Sequence, residues 1–164
     1  MVFDPKKMAI ANGTGFPAEW NALTERVIGC AIEVHRHLGP GLREKMYEQA
    51  LVIELRRAGL RVGQQRPFRV RFRGEDLGTQ IVDPIVEDCL LLETKSTEQV
   101  TETDEAQLLG YLRFTGLPLG LILNFKRARL SDGIIRKINW PPAPRSPEVV
   151  VDHAPFSVPS VSAP

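Results

Sequence analysis

The sequence predicts an α/β domain, a mixed central sheet flanked by helices, and three observations lead there. Apolar residues recur at spacings of three and four in two early segments, the mark of helices that bury one face. Later stretches change to short alternating or continuous apolar runs of strand length. Clusters at Gly39-Pro40-Gly41, Gly74-Glu75-Asp76 and Gly116-Leu117-Pro118 fall where the pattern changes.

The 164 residues amount to about one domain, long enough to bury a core. With 43% hydrophobic and 25% charged residues and a net charge of +1, no global electrostatic bias marks a nucleic-acid or membrane partner, so any basic surface must be local. Cys30 and Cys89 both sit in apolar surroundings. The absence of a secretory signal and of a long apolar run makes a reduced cytoplasmic compartment, with no membrane association, the expectation.

Residues 1–17 carry Gly, Pro, Asn and Lys without periodicity and read as a loose leader. The first helix is predicted from Ala18 to His37, where Trp20, Leu23, Val27, Ala31, Val34 and Leu38 form one apolar stripe. A second helix is expected from Leu42 to Ala58, with Gly59 as its C-terminal cap. Glu44, Tyr47 and Glu48 share a face with Leu51, which sets a carboxylate beside an aromatic ring on a core-facing stripe.

From Gln65 to Arg73, Phe68, Val70 and Phe72 alternate with Arg69, Arg71 and Arg73, the pattern of a half-buried strand with a basic outer face. A turn at Gly74-Glu75-Asp76 then leads into Leu77–Lys95, read as two strands joined near Val86-Glu87-Asp88-Cys89. A polar loop, Ser96–Thr103, follows, and Thr101 or Thr103 is placed to cap a third helix over about Asp104–Phe114. Leu119–Phe125 reads as an interior strand and Ile134–Asn139 as a small edge strand. From Trp140 the chain carries seven of its thirteen prolines, so residues 140–164 are expected to be a disordered or extended tail outside the 18–139 domain. Three consecutive strands suggest an antiparallel meander, and the strand after the third helix can lie parallel to a neighbour.

The Leu77–Lys95 hairpin holds the charges that need explaining. Glu93 and Lys95 are two apart on a strand and share a face. A two-residue loop would pair Asp83 with Leu92, whereas one extra residue brings Asp83 opposite Glu93. Pro84 favours the second arrangement, because proline cannot donate to a sheet ladder, and it predicts an irregular strand at Asp83-Pro84. Two carboxylates and a lysine would then converge. Asp83 and Glu93, with the Thr94 carbonyl, are oxygen donors of the kind that Mg²⁺ or Mn²⁺ accepts. Lys95 would orient or deprotonate the attacking water, or neutralise charge developing on a phosphate. Lys126 and Arg127, just past the Leu119–Phe125 strand, are placed to bind a nucleic-acid backbone, with DNA the expected partner.

Asp83 followed by Glu93-Thr94-Lys95 resembles the PD-(D/E)xK nuclease motif, and the element order is similar to that superfamily's αβββαβ core with an additional N-terminal helix. Gly41-Leu42-Arg43-Glu44-Lys45-Met46-Tyr47 is similar to the signature of the bacterial GxxExxY family of predicted nucleases, and the likeness runs from about Leu23 to Asn139. EVHRHLGPG precedes that signature, and EAQLLGYL and LILNF follow it. The resemblance implies that Glu44 joins the metal shell, that Gln107 and Tyr111 touch substrate or orient the site, and that Tyr47 supports it, mainly by packing. It departs from the family at Ile81 and Pro84, where an arginine and a leucine are common. The implied function is metal-dependent hydrolysis of nucleic-acid phosphodiesters. The alternative is a non-catalytic module of the same fold that binds nucleic acid or a protein partner.

Overall fold

The structure, a computed structural model, describes residues 18–82 and 84–139 in full and the backbone of 149–150. The expected leader, Asp83 and the rest of the tail lie outside the described residues. The elements are α1 (Ala18–Leu38), α2 (Glu44–Arg57), β1 (Val62–Gly63), β2 (Arg66–Phe72), β3 (Glu75–Val82), β4 (Ile85–Val86), β5 (Leu90–Lys95), α3 (Glu102–Thr115), β6 (Leu119–Asn124), β7 (Ile134–Ile138) and β8 (Val149–Val150), with a 3₁₀ turn at Leu130–Gly133. This is the mixed α/β architecture that the sequence predicts. No helix among the described residues is long and apolar enough to cross a membrane.

The five-stranded sheet has the order β1-β4-β5-β6-β7, with β5 and β6 parallel and the other pairs antiparallel. Helix α3 makes the β5-to-β6 crossover that a parallel pair requires. Leu90, Leu92, Leu119, Leu121 and Leu123 point to the α1/α2 layer, where they meet Trp20, Val27, Leu51 and Leu55. Leu91 and Ile122 point the other way, to Leu108 and Leu112 of α3. Both faces are covered, which explains why β5 and β6 read as continuous apolar runs rather than alternating ones. Each such leucine contributes about 2 kcal/mol by leaving water. Gly120 lets α3 come close: a Cβ there would lie 2.9 Å from Leu108 Cδ2.

Three differences from the sequence reading have physical causes. The expected meander is split between two sheets: β2 and β3 form a ribbon, while the chain enters the central sheet only at β4. The break between Val82 and Ile85 coincides with Pro84, where the ladder loses a donor. Second, α2 begins at Glu44 rather than Leu42, because Leu42 is held in the preceding turn by the hydrogen bond that its amide donates to Tyr47 Oη (3.1 Å). Third, β1 is two residues long, too short to leave a periodic signal, and pairs with β4. Within the expected tail, Val149–Val150 pairs with Arg69 and Val70 of β2.

The β4–β5 connection has the extra residue that the Asp83 argument requires. Val86 pairs with Leu90, leaving a three-residue loop, Glu87-Asp88-Cys89, in which Glu87 (φ 49°) and Asp88 (φ 58°) are left-handed. Non-glycine residues rarely adopt that region without support. Glu87 receives the Arg61 amide at 2.8 Å and Nε at 2.9 Å, and Asp88 pairs with Arg66 at 2.7 Å.

Candidate functional site

Parallel strands end their hydrogen-bonding run together, so the chain leaves a crevice past their carboxyl ends. Here β5 and β6 end at Lys95 and Asn124, which are paired in register. The Phe125 amide donates to the Lys95 carbonyl at 2.8 Å, holding the two exits side by side. Asn124 is fully buried and works on both exits. Its Oδ1 accepts from the amides of Thr97 and Lys126, each at 3.2 Å, and its Nδ2 donates to the Thr97 carbonyl at 2.9 Å.

Glu93 and Lys95 face the α3 side, like Leu91 two residues earlier on the strand. Lys95 Nζ lies 3.0 Å from Glu93 Oε1 and 3.1 Å from Asp104 Oδ1 in the first turn of α3. Burial would lower the pKa of this ammonium, but the hydrogen bonds and charges of its two carboxylate partners outweigh that and raise it above its ordinary value. Lys95 is therefore a cation at neutral pH, suited to neutralising charge rather than to taking a proton from water. Asp104 is pulled down to about 2 by hydrogen bonds from the Thr101 amide, the Thr101 hydroxyl and Lys95.

Glu44 arrives from the other layer. Its Oε1 accepts from the Ser96 amide at 3.0 Å, and Ser96 Oγ donates to the Leu42 carbonyl at 2.8 Å. These bonds join the start of α2 to the residue that follows Lys95. Tyr47 secures the same turn. Its hydroxyl donates to the Gly39 carbonyl at 2.6 Å and accepts from the Leu42 amide, while its ring stacks on Phe125 with centroids 4.4 Å apart. An open cleft of about 490 Å³ is lined by residues 41–45, Ser96 and Lys126.

Among the other predicted residues, Asp83 lies outside the described residues and Lys126 lines the cleft. Lys126 pairs with Glu98 at 2.7 Å, and the Arg127 carbonyl accepts from His35 Nε2 at 2.8 Å. Gln107 Nε2 donates to Tyr111 Oη at 3.1 Å, one turn along α3. Gln107 and Tyr111 share with Asp104 the helix face that begins at Lys95, at spacings of three and four. Sequence reasoning missed Asp104, Ser96 and Asn124. Thr101 followed three residues later by an acid was a usable capping-box signal for Asp104, and a lone asparagine ending the apolar LILNF run was one for Asn124.

The alternation of backbone groups bears on metal binding. The Cys89 and Lys95 carbonyls accept from Leu119 and Phe125, so odd-numbered carbonyls of β5 face β6. The Leu92 amide donates to the Pro84 carbonyl, so even-numbered positions face β4. The Thr94 carbonyl therefore points to the β4 side, beyond the Ile85–Leu91 pair at which β4 begins. A main-chain oxygen is a hard donor of the kind that suits a small divalent cation. Among the described residues, no group of three or more His, Cys, Asp or Glu side chains is arranged to hold a metal.

A family model described as the PD-(D/E)XK nuclease superfamily matches residues 21–137. No curated protein and no solved structure matches the chain.

Proposed function

The chain belongs to the PD-(D/E)XK nuclease superfamily, and from that premise we propose that it is a metal-dependent nuclease, of the GxxExxY group, that hydrolyses phosphodiester bonds of nucleic acid, DNA in the first instance. Membership indicates nuclease activity in general, and nucleases of this superfamily generally use divalent metals. The observation that supports the reading is the Glu93–Lys95 pair on one face of β5, with the Glu44 carboxylate bonded to the amide of Ser96, the residue after Lys95.

In this reading Asp83, Glu93, the Thr94 carbonyl and Glu44 hold Mg²⁺ or Mn²⁺. The described register that supports the reading is Ile85 opposite Leu91 and Val86 opposite Leu90, while Asp83 itself lies outside the described residues. The ion, when bound, supplies water activation and charge neutralisation at the phosphate. Lys95 carries its positive charge toward the oxygens of the scissile phosphate, where negative charge grows in the transition state. Gln107 and Tyr111 line the substrate side along α3. Lys126 and Arg127 bind the backbone next to the cleft, and Tyr47 supports Glu44 by fixing the turn before it.

The test is Mg²⁺ and Mn²⁺ binding by calorimetry, together with cleavage of linear, circular and single-stranded DNA and of RNA. Wild type is expected to bind metal and cut at least one substrate, with Asp83→Ala and Lys95→Ala losing the cutting. A wild type that neither binds metal nor cuts, or variants that cut as well as wild type, defeats the proposal.

A further inference from the structure

Lys95 has two carboxylate partners, only one of which belongs to the proposed metal set. Glu93 holds the ammonium at 3.0 Å and Asp104 Oδ1 holds it at 3.1 Å. The second oxygen of Asp104 has a separate task. Oδ2 accepts from the Thr101 amide at 2.9 Å and the Thr101 hydroxyl at 2.8 Å, while Thr101 Oγ1 accepts the Asp104 amide at 3.2 Å. This reciprocal capping box immobilises the carboxylate at the start of α3. A side chain fixed by its own helix cap and presenting its remaining oxygen to a neighbouring ammonium is a built support.

The arrangement matters when Glu93 changes partner. A cation bound to Glu93 competes with the ammonium for the same oxygens and repels it. With Glu93 alone to hold it, Lys95 would swing away once that carboxylate coordinates. We propose that Asp104 is the positioning residue for Lys95, holding the ammonium in the site while Glu93 is engaged by a divalent cation. This rests on the nuclease reading for its metal and on the observed Lys95–Asp104 contact for its geometry.

The test uses the full chain and Mg²⁺ alone, read by NMR of lysine ammonium groups, with the Lys95 signal identified by its loss in Lys95→Arg. An ordered, hydrogen-bonded ammonium exchanges its protons slowly enough to be seen, and a free one does not. Wild type is expected to keep the Lys95 signal when Mg²⁺ is added, displaced in chemical shift as Glu93 takes up the ion. Asp104→Asn retains an oxygen for the cap but no charge for Lys95, and should lose the signal when Mg²⁺ is added. Asp104→Glu restores it. Thr101→Ala removes the hydroxyl half of the cap, lowers thermal stability and should weaken the signal without abolishing it, because the charged carboxylate and the main-chain bond to it remain. Persistence of the signal in Asp104→Asn with Mg²⁺, or its equal loss in Thr101→Ala, overturns the proposal. In cleavage assays Asp104→Asn should lower kcat about 10- to 100-fold with KM little changed, the size typical of removing a supporting partner, whereas Thr101→Ala should lower it much less. If Mg²⁺ perturbs no signal in wild type, the metal site fails, and with it a positioning role that needs Glu93 to be engaged. If Mg²⁺ binds and Asp104→Asn loses the signal while wild type cuts nothing, the nuclease reading falls and the positioning role stands.

Discussion

Removing the Tyr47 hydroxyl isolates what holds the turn before Glu44. In Tyr47→Phe the fully buried ring and its near-parallel stack on Phe125 (11° between planes) remain. The bonds lost are the donation to the Gly39 carbonyl at 2.6 Å and the acceptance from the Leu42 amide at 3.1 Å. A net hydrogen bond is worth about 1 kcal/mol, and more is lost where the stranded partner is dry. Leu42 sits at the surface, so water replaces part of what its amide loses. The expected cost is about 1–2 kcal/mol, or roughly 3–8 °C in Tm for a domain of this size. Urea unfolding followed by circular dichroism measures it, with the slope unchanged. Tyr47→Leu also discards the stack and should cost about 1–3 kcal/mol more. A Tyr47→Phe protein within about 0.3 kcal/mol of wild type refutes the pinning of the turn by the hydroxyl. Equal losses in the two variants assign the whole effect to the hydroxyl and none to the stack.

Three further outcomes follow from the geometry. Gly120→Ala puts a methyl 2.9 Å from Leu108 Cδ2 and should destabilise by about 1–3 kcal/mol, with Leu108→Ala relieving part of it; purely additive losses in a double-mutant cycle count against that contact. Burial would raise the Glu87 pKa, but hydrogen bonds from the Arg61 amide and guanidinium, with its charge, hold it below the ordinary 4.5. A depressed carboxylate stabilises the fold above its unfolded pKa and loses that contribution as pH falls through the folded one. The stability gap between wild type and Glu87→Gln should therefore be full at pH 7 and shrink below 4.5, and a gap constant down to acid unfolding excludes the linkage. Glu98 occupies Lys126 at 2.7 Å, so Glu98→Gln should tighten nucleic-acid binding a few-fold in fluorescence anisotropy and steepen its salt dependence; weaker binding would mean that Lys126 does not meet the backbone.

Much of the framework could be read from the chain because periodicity reports burial. The α1 stripe through Trp20, Val27, Ala31 and Val34 is the buried face, and the unbroken apolar run of β6 is a strand covered on both sides. The need for one extra residue was legible from asking which register lets Asp83 oppose Glu93, but as a loop residue or a bulge alike, and the structure has it as the three-residue loop Glu87-Asp88-Cys89. The division of β3 from β4 into separate sheets was not legible, since local pattern shows which face of a strand is buried but not its neighbour. Asp104 and Ser96 escaped for a related reason. Their roles come from contacts to Lys95 and Glu44, and an acid in a helix's first turn or a serine after a strand looks local in sequence. Glu93 and Lys95 were easier, because charges two apart at the end of an apolar strand stand out against their background.

The distances along the chain that the site spans bear on when it comes into being. The Glu44–Ser96 bond closes 52 residues and the Asn124–Thr97 bond closes 27, while α1 and α2 lie next to each other in sequence. Contacts that close long loops cost more entropy and form late. A chain emerging from the ribosome therefore holds its helical pair well before β6 arrives to complete the floor under Lys95, and the bonds that tie Glu44 and Asn124 to the loop after β5 form after that pair. In refolding, protection of the Ser96 amide from hydrogen exchange should trail the recovery of helical circular dichroism, and simultaneous recovery would contradict this order. A chemistry aimed at nucleic acid would then be switched on by the completion of folding itself.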